Sequence, residues 1–295
     1  MNTLLPRIAP AMFVLLWSTG FIASKLGGPY AEPFTFLSVR FLIVLAILVP
    51  VALLFSAPWP TGWPAFHSIV VGAMIHGAYL GGVFWAIRNG LPAGVAALIV
   101  SLQPVLTAVL AATLLGERIT PRHWVGLALG LLGAGLVVGS RIELAQHAAS
   151  SGINVATVFA CGVALLGMTI GTIYQKRFST KADLRTGTAL QFIGALVVTA
   201  PLALVVETRA IVWSAPFMAA LAWLVIVLSI VSIMLLMLLI RQNAVSRLSG
   251  LFYLVPAVTA GLAYLMFGET LTLVQLAGVA MVMGAVVLID PVGTK

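Results

Sequence analysis

The residues LQPVLTAVLAATLLGE at positions 102–117 return 152 positions later, at 254–269, as LVPAVTAGLAYLMFGE. When the longer segments 102–136 and 254–288 are aligned without a gap, 12 of 35 positions are identical. Apolar sequence gives chance matches of leucine and alanine, but an aligned proline and an aligned Gly-Glu pair are much rarer by chance. We therefore interpret the chain as two copies of one structural unit.

The composition of the whole chain is that of a membrane protein. Of its 295 residues, 62% are hydrophobic and 7% are charged, and the mean hydropathy is +1.17. Soluble domains carry about 25% charged residues because their surface must face water. We therefore expect lipid to surround most of this protein. The net charge of +8 is scattered over short loops, so we expect no nucleic-acid partner.

Ten apolar runs are long enough to cross the ~30 Å hydrocarbon core of a bilayer as helices. These runs lie near residues 8–26, 34–55, 66–87, 91–115, 123–140, 153–175, 186–206, 217–239, 248–267 and 272–290. If the N-terminus is inside, ten lysines and arginines face the cytoplasm, four face the other side, and Arg40 lies within a span. The excess of inner positive charge favours this orientation. We predict an all-α protein of ten transmembrane helices, with both termini cytoplasmic, in a bacterial inner membrane.

The two copies are predicted to have opposite orientations. The second copy begins five spans after the first. Because five is an odd number of crossings, the second copy enters the membrane from the other side. The loop charges agree, since two arginines follow the first Gly-Glu turn at 116–117, whereas no base follows the second at 268–269. We divide the chain into inverted five-helix repeats at 1–145 and 146–295. Such repeats place a substrate site near the midplane and give alternating access by rocking.

Two equivalent prolines interrupt the apolar runs of the repeat. Pro104 follows Gln103 near the middle of the fourth run, and Pro256 follows Val255 at the equivalent place in the ninth. Proline removes one backbone hydrogen bond, which leaves polar atoms unpaired within the bilayer. We predict that both prolines are hinges. Gln103 is either a ligand-binding amide or a structural residue bonded to a neighbouring helix.

Polar and aromatic side chains inside the spans are the candidates for a substrate site, because such groups face protein or water rather than lipid. The predicted substrate-binding residues are Trp17, His76, Tyr79, Gln103, Ser229, Ser232 and Tyr253. For each of them, packing between helices is the alternative role.

Two basic residues near the predicted outer side form a separate group. Arg40 lies about two turns into the second run, and Lys25 lies at the end of the first. They are either a charged gate that attracts a carboxylate or an anionic headgroup, or structural residues that snorkel to the interface.

Several segments resemble the opening and closing helices of an EamA-type domain. They are WSTGF at 17–21 with Lys25, PFTF at 33–36 with Arg40-Phe41, QP at 103–104, LLGE at 114–117, and Pro256 with GE at 268–269. The whole chain is similar to two such domains, as in ten-helix exporters of the drug/metabolite transporter superfamily, and most resembles the YddG-like amino-acid exporters. The resemblance implies export of small amphipathic metabolites, favouring aromatic or hydrophobic amino acids, through a central cavity between the repeats.

Other functions were compared with export. An intramembrane enzyme needs a nucleophile with a base, metal ligands, or a paired acid and base. The sequence has no acid in the middle of a run, no His-Glu-x-x-His and no Gly-x-Ser-x-Gly, so we predict no enzyme and no cofactor. A channel, a facilitator, or an exporter of other metabolites or drugs stays open. Since no acid is central, we predict weak or absent proton coupling, or a minor role for His76.

The predicted partners are a small-molecule substrate and the lipid bilayer. We expect a monomer and leave a dimer open. The one cysteine, Cys161, lies within an apolar run, which excludes an internal disulfide and indicates a buried structural thiol.

Overall fold

The computed structural model describes residues 4–91, 96, 99–146, 154–242, 248, 250–267 and 272–289. Over these residues the chain is helical, apart from loops and one isolated bridge between Ala31 and Ile211. The second Gly-Glu turn at 268–269 and the side chain of Lys25 lie outside what is described.

The described helices lie within or close to the predicted runs, but the helices in the fourth and ninth runs begin twelve and six residues after the predicted starts at 91 and 248. In chain order they are α1 Leu4–Gly27, α2 Pro33–Leu54, α3 Trp63–Arg88, α4 Gln103–Leu114, α5 Pro121–Gln146, α6 Val155–Phe178, α7 Leu184–Val206, α8 Ala215–Gln242, α9 Leu254–Phe267 and α10 Leu273–Ile289. Six spans, formed by α1 to α3 and α6 to α8, are long and apolar enough to cross a membrane. Large apolar side chains also stay exposed on these helices, such as Val197 and Ile226. The all-helical membrane fold is therefore present, while ten spans and cytoplasmic termini stay predictions.

Side chains at the helix starts explain where the helices begin. Asn154 caps α6, where its Oδ1 accepts a 3.0 Å hydrogen bond from the Thr157 amide. Asp183 and Ser214 cap α7 and α8 in the same way. These caps satisfy backbone N–H groups that have no partner within the helix.

The two prolines of the repeat lie differently from the prediction. Pro104 was expected in the middle of a helix, but α4 begins at Gln103 after a turn at Ser101 and Leu102, so the proline lies in the first turn. There its missing N–H costs no hydrogen bond. Pro256 likewise lies in the first turn of α9, after a 3₁₀ turn. Instead of a kink within one helix, each copy has a break just before the proline, at equivalent positions. That the two prolines act as hinges stays a prediction.

Two helices contain a wider π-helical segment at their middle. The segment is Ala73–Ala78 in α3 and Leu224–Ser232 in α8. A shift of 152 residues places the first segment on 225–230, which falls within the second. Both segments carry predicted site residues, and π-helical turns occur frequently at functional sites.

Glycines let the backbones of α3 and α7 touch. A Cβ atom on Gly72 would lie 1.7 Å from the carbonyl oxygen of Gln191, and one on Gly194 would lie 1.9 Å from that of Ile69. No side chain fits in either place, so only glycine permits this crossing. The contact brings the π-helical segment of α3 against the first half of α7.

Helices α5 and α10 pack antiparallel through a second glycine contact. A Cβ atom on Gly133 would lie 2.8 Å from the Gly278 carbonyl oxygen, and one on Gly126 would lie 3.0 Å from that of Ala285. Residues 126 and 278 are 152 positions apart, as are 133 and 285. The two contacts therefore exchange equivalent positions of the two copies, as a two-fold rotation does.

Candidate functional site

His76 of α3 meets Gln191 of α7 beside the glycine crossing. The Nε2 atom of His76 donates a 3.2 Å hydrogen bond to Oε1 of Gln191, because an amide oxygen can only accept. The imidazole also stacks on Phe192, with ring centroids 4.9 Å apart and an interplanar angle of 23°. His76 is 1% exposed. The Nε2 atom of Gln191 is buried and has no partner among the described residues, so this pair has unused hydrogen-bonding capacity.

Arg40 of α2 meets Ser229 of α8 nearby. Its Nε atom donates a 2.8 Å hydrogen bond to Ser229 Oγ, although the residue is only 6% exposed. The guanidinium carbon lies 5.9 Å from the centroid of the Phe41 ring. That ring is 6.4 Å from the His76 ring and 5.3 Å from the Phe192 ring. Phe41 therefore connects the two polar pairs.

We call this group the central site. It consists of Arg40, Phe41, His76, Gln191, Phe192 and Ser229. Each of its polar pairs joins one residue from the first predicted repeat to one from the second. His76 and Ser229 both lie in the π-helical segments.

The other predicted residues have separate surroundings. Tyr79 is buried on α3 just after its π-helical segment. Ser232 is buried one turn beyond Ser229, and its Oγ has no partner among the described residues. Trp17 packs at 5.1 Å from Phe13 and 5.7 Å from Phe252, between ring centroids.

Gln103 and Tyr253 also lie in contacts of their own. Gln103 donates through Nε2 to Thr107 of its own helix at 2.9 Å, and its buried Oε1 has no partner among the described residues. The Tyr253 ring packs against Gly130 of α5, and its hydroxyl is buried with no described partner. The structure thus brings Arg40, His76 and Ser229 together, whereas Trp17, Gln103 and Tyr253 contact other residues.

Gln191 and the two phenylalanines were not predicted as site residues. An amide within the apolar run 186–206 is the signal that points to Gln191. Phe41 and Phe192 give no such signal, because phenylalanine is common throughout the spans.

Two carboxylates join α2 to the segment after α7 at one end of the bundle. Glu207 accepts hydrogen bonds of 2.7 Å from the amides of Phe34 and Thr35, in the first turn of α2. Glu32 accepts from the Thr208 hydroxyl at 2.8 Å and from the Arg209 amide at 3.0 Å. We call Glu32 and Glu207 the carboxylate clasp.

The clasp has an electrostatic consequence. The hydrogen bond from the Thr208 hydroxyl lowers the pKa of the Glu32 carboxyl below its ordinary value, and the Arg209 amide adds to this effect. Glu207 places a negative charge at the N-terminus of α2, where the helix dipole is positive. Among the described residues, no group of three or more His, Cys, Asp or Glu is placed to hold a metal ion.

The fold and the central site define a class of protein. Apolar helices of membrane-crossing length enclose a buried arginine and polar atoms without partners, which is the arrangement of a multi-pass membrane transporter. The model of the EamA-like transporter family matches this chain twice, over residues 8–139 and 155–289. The chain therefore belongs to the EamA-like transporter family.

Relatives of known sequence are similar over almost the whole chain. The "Uncharacterized transporter YvbV" of Bacillus subtilis (strain 168) is 28% identical over 283 residues, covering 95% of this chain and 90% of the relative. The "Probable amino-acid metabolite efflux pump" of Salmonella typhimurium is 25% identical over 281 residues, covering 92% of this chain and 90% of the relative. A solved crystal structure has a TM-score of 0.79 over 95% of this chain and 94% of its own, at 21% identity, which shows the fold.

Proposed function

We propose that the protein exports small amphipathic metabolites across a bacterial inner membrane, with aromatic or hydrophobic amino acids as the favoured substrates. The observation that carries the proposal is the central site, where two buried polar pairs join α2 to α8 and α3 to α7. A substrate with polar and apolar parts can replace these polar contacts and pack on the rings of Phe41 and Phe192. The name of the Salmonella relative supports an amino-acid metabolite as cargo.

We also propose that transport works by alternating access between the inverted repeats 1–145 and 146–295. The equivalent π-helical segments and the antiparallel α5–α10 contact support a two-fold arrangement of the repeats. Rocking of one repeat on the other would open the central site to each side in turn. The two pairs of the central site would break and reform in each cycle, because each pair spans both repeats.

Efflux from proteoliposomes tests this function. Purified protein is reconstituted into vesicles loaded with each labelled amino acid in turn, and protein-free vesicles are the control. We expect saturable efflux of a subset that includes aromatic or hydrophobic amino acids. Flux that rises linearly with concentration would indicate a channel instead, and no substrate-specific efflux across the panel would refute the proposal.

A further inference from the structure

Arg40 is a buried cation that forms no salt bridge with any residue that the structure describes. Its guanidinium donates a hydrogen bond to Ser229 and lies against the face of Phe41. The carboxylates of Glu32 and Glu207 accept hydrogen bonds from other residues at the end of the bundle, and Asp183 pairs with Arg185. The Nη1 and Nη2 atoms of Arg40 therefore have no hydrogen-bond partner among the described residues.

This environment is unusual for an arginine inside a membrane. A buried charge ordinarily has an opposite charge or a full set of hydrogen bonds, because removing it from water is costly. Serine is neutral and occupies only one N–H of the guanidinium. The remaining N–H groups form a planar fork that matches the two oxygens of a carboxylate.

We propose that Arg40 binds the carboxylate of the exported substrate, so that the substrates are carboxylates rather than amides, esters or cationic drugs. This inference rests on the proposed function and names the group that the central site recognises. The apolar part of the substrate would pack on Phe41, whose ring already lies beneath the guanidinium, and on the adjacent Phe192.

The position of Arg40 gives carboxylate binding a second effect. The hydrogen bond from Arg40 to Ser229 joins α2 of the first repeat to α8 of the second. A carboxylate on Nη1 and Nη2 neutralises the guanidinium charge, so the hydrogen bond from Nε to Ser229 loses its charge assistance and a contact between the repeats weakens. Substrate binding would thereby favour the separation that alternating access needs.

The experiment compares an exported amino acid with its amide, which has the same side chain and no carboxylate. In proteoliposomes, we expect the wild type to prefer the amino acid by roughly ten- to a hundred-fold in kcat/KM, the range for a hydrogen bond to a charged group. Arg40→Gln should remove this preference. Arg40→Lys should keep part of it, because lysine keeps the charge and loses the fork. Arg185→Gln, which changes an arginine outside the central site, is the matched control and should keep the full preference.

A binding measurement separates this inference from the proposed function. Thermal unfolding of the detergent-solubilised protein is followed with a panel of aromatic and aliphatic monocarboxylates and with their amides. We expect carboxylates alone to raise the melting temperature of the wild type, and the rise to be absent in Arg40→Gln. If no amino acid is exported but carboxylates still raise the melting temperature, then amino acids are the wrong substrates and the inferred carboxylate site at Arg40 is retained.

Two results would overturn the inference. One is a wild type that is stabilised and transported equally by carboxylates and amides. The other is an Arg40→Gln protein that melts at the wild-type temperature and still prefers carboxylates. If Arg40→Gln does not fold, the wild-type panel and the Arg40→Lys variant decide the question by the same criteria.

Discussion

At the scale of single residues, Gly72 and Gly194 set the distance between α3 and α7. Their missing side chains let each backbone touch a carbonyl group of the other helix. The hydrogen bond between His76 and Gln191 lies at this crossing, because His76 follows Gly72 by one helical turn and Gln191 carries the carbonyl oxygen that Gly72 contacts. Two glycines, which carry no functional group, therefore position the His76–Gln191 pair of the central site.

Gly72→Ala is expected to destabilise the protein by about 1–3 kcal/mol, the usual cost of inserting atoms into a packed core. The added Cβ atom would lie 1.7 Å from the Gln191 carbonyl oxygen, so the helices must separate. Thermal unfolding in detergent, followed by tryptophan fluorescence, measures the change.

Gly162→Ala is the matched control, since Gly162 lies within α6 and, apart from the backbone of its own helix, no described atom lies within 4 Å of its added Cβ. Alanine favours a helix over glycine by about 0.5–1 kcal/mol, so this variant should be slightly more stable. Equal melting temperatures for the two variants would contradict the direct backbone contact.

At the scale of helices, α2 and α7 are joined to each other by different kinds of contact at their two ends. The carboxylate clasp fixes the start of α2 to the segment after α7. At the opposite end, the Thr186 hydroxyl donates to the Pro58 carbonyl oxygen at 2.8 Å, and the contact is neutral. The contact between α2 and α7 at the end with the carboxylate clasp is therefore sensitive to protonation of a carboxylate.

Glu32→Gln is expected to lower the melting temperature at neutral pH and to have less effect as the pH falls. The folded-state pKa of Glu32 is lowered, so its carboxylate stabilises the fold above the ordinary glutamate pKa of about 4.3, and this stabilisation is lost as the pH falls through the lowered value. Thr208→Val removes the main cause of the lowered pKa and should reduce the same pH dependence. A difference in melting temperature between the wild type and Glu32→Gln that stays the same at every pH would refute this account.

The sequence predicted the positions of the helices better than their internal geometry. The runs 34–55 and 186–206 were predicted within two residues of Pro33–Leu54 and Leu184–Val206, because apolar length and flanking polar residues define a span. The π-helical segments could not be predicted, since a helix that is apolar on all sides has no periodicity to reveal a change of pitch.

Three residues of the central site were singled out from the sequence for a related reason. Arg40, His76 and Ser229 stand out as polar residues within apolar runs, and the structure places them close together. Their partners Phe41 and Phe192 do not stand out, because only tertiary packing selects two phenylalanines among many. That any of the predicted site residues contacts substrate stays a prediction.

At the scale of the whole molecule, the orientation in the membrane follows from loop charge. Short loops with more lysine and arginine stay in the cytoplasm. The loop between α6 and α7 and the helix ends beside it carry four basic residues, Lys176, Arg177, Lys181 and Arg185, whereas the loop between α7 and α8 and the helix ends beside it carry one, Arg209. These two loops lie at opposite ends of α7 and should therefore lie on opposite sides of the membrane.

Single cysteines at Lys181 and Arg209 test this orientation. Cys161 is buried, and Cys161→Ala provides a background without cysteine. Both test positions are exposed. We expect a membrane-impermeant maleimide to label Arg209→Cys in intact cells, and to label Lys181→Cys only after the membrane is opened. The reverse pattern would show that the termini are outside.

The antiparallel contact of α5 and α10 has a consequence for the ancestry of the protein. Because the contact exchanges equivalent positions, a lone ancestral half with glycine at both positions would fit an upside-down copy of itself. Such a half would have to insert in both directions in equal numbers. Joining two halves in one gene fixes that ratio, and each half is then free to diverge. On this account, Gly133 in one half and Ala285 in the other are such a divergence at one equivalent position.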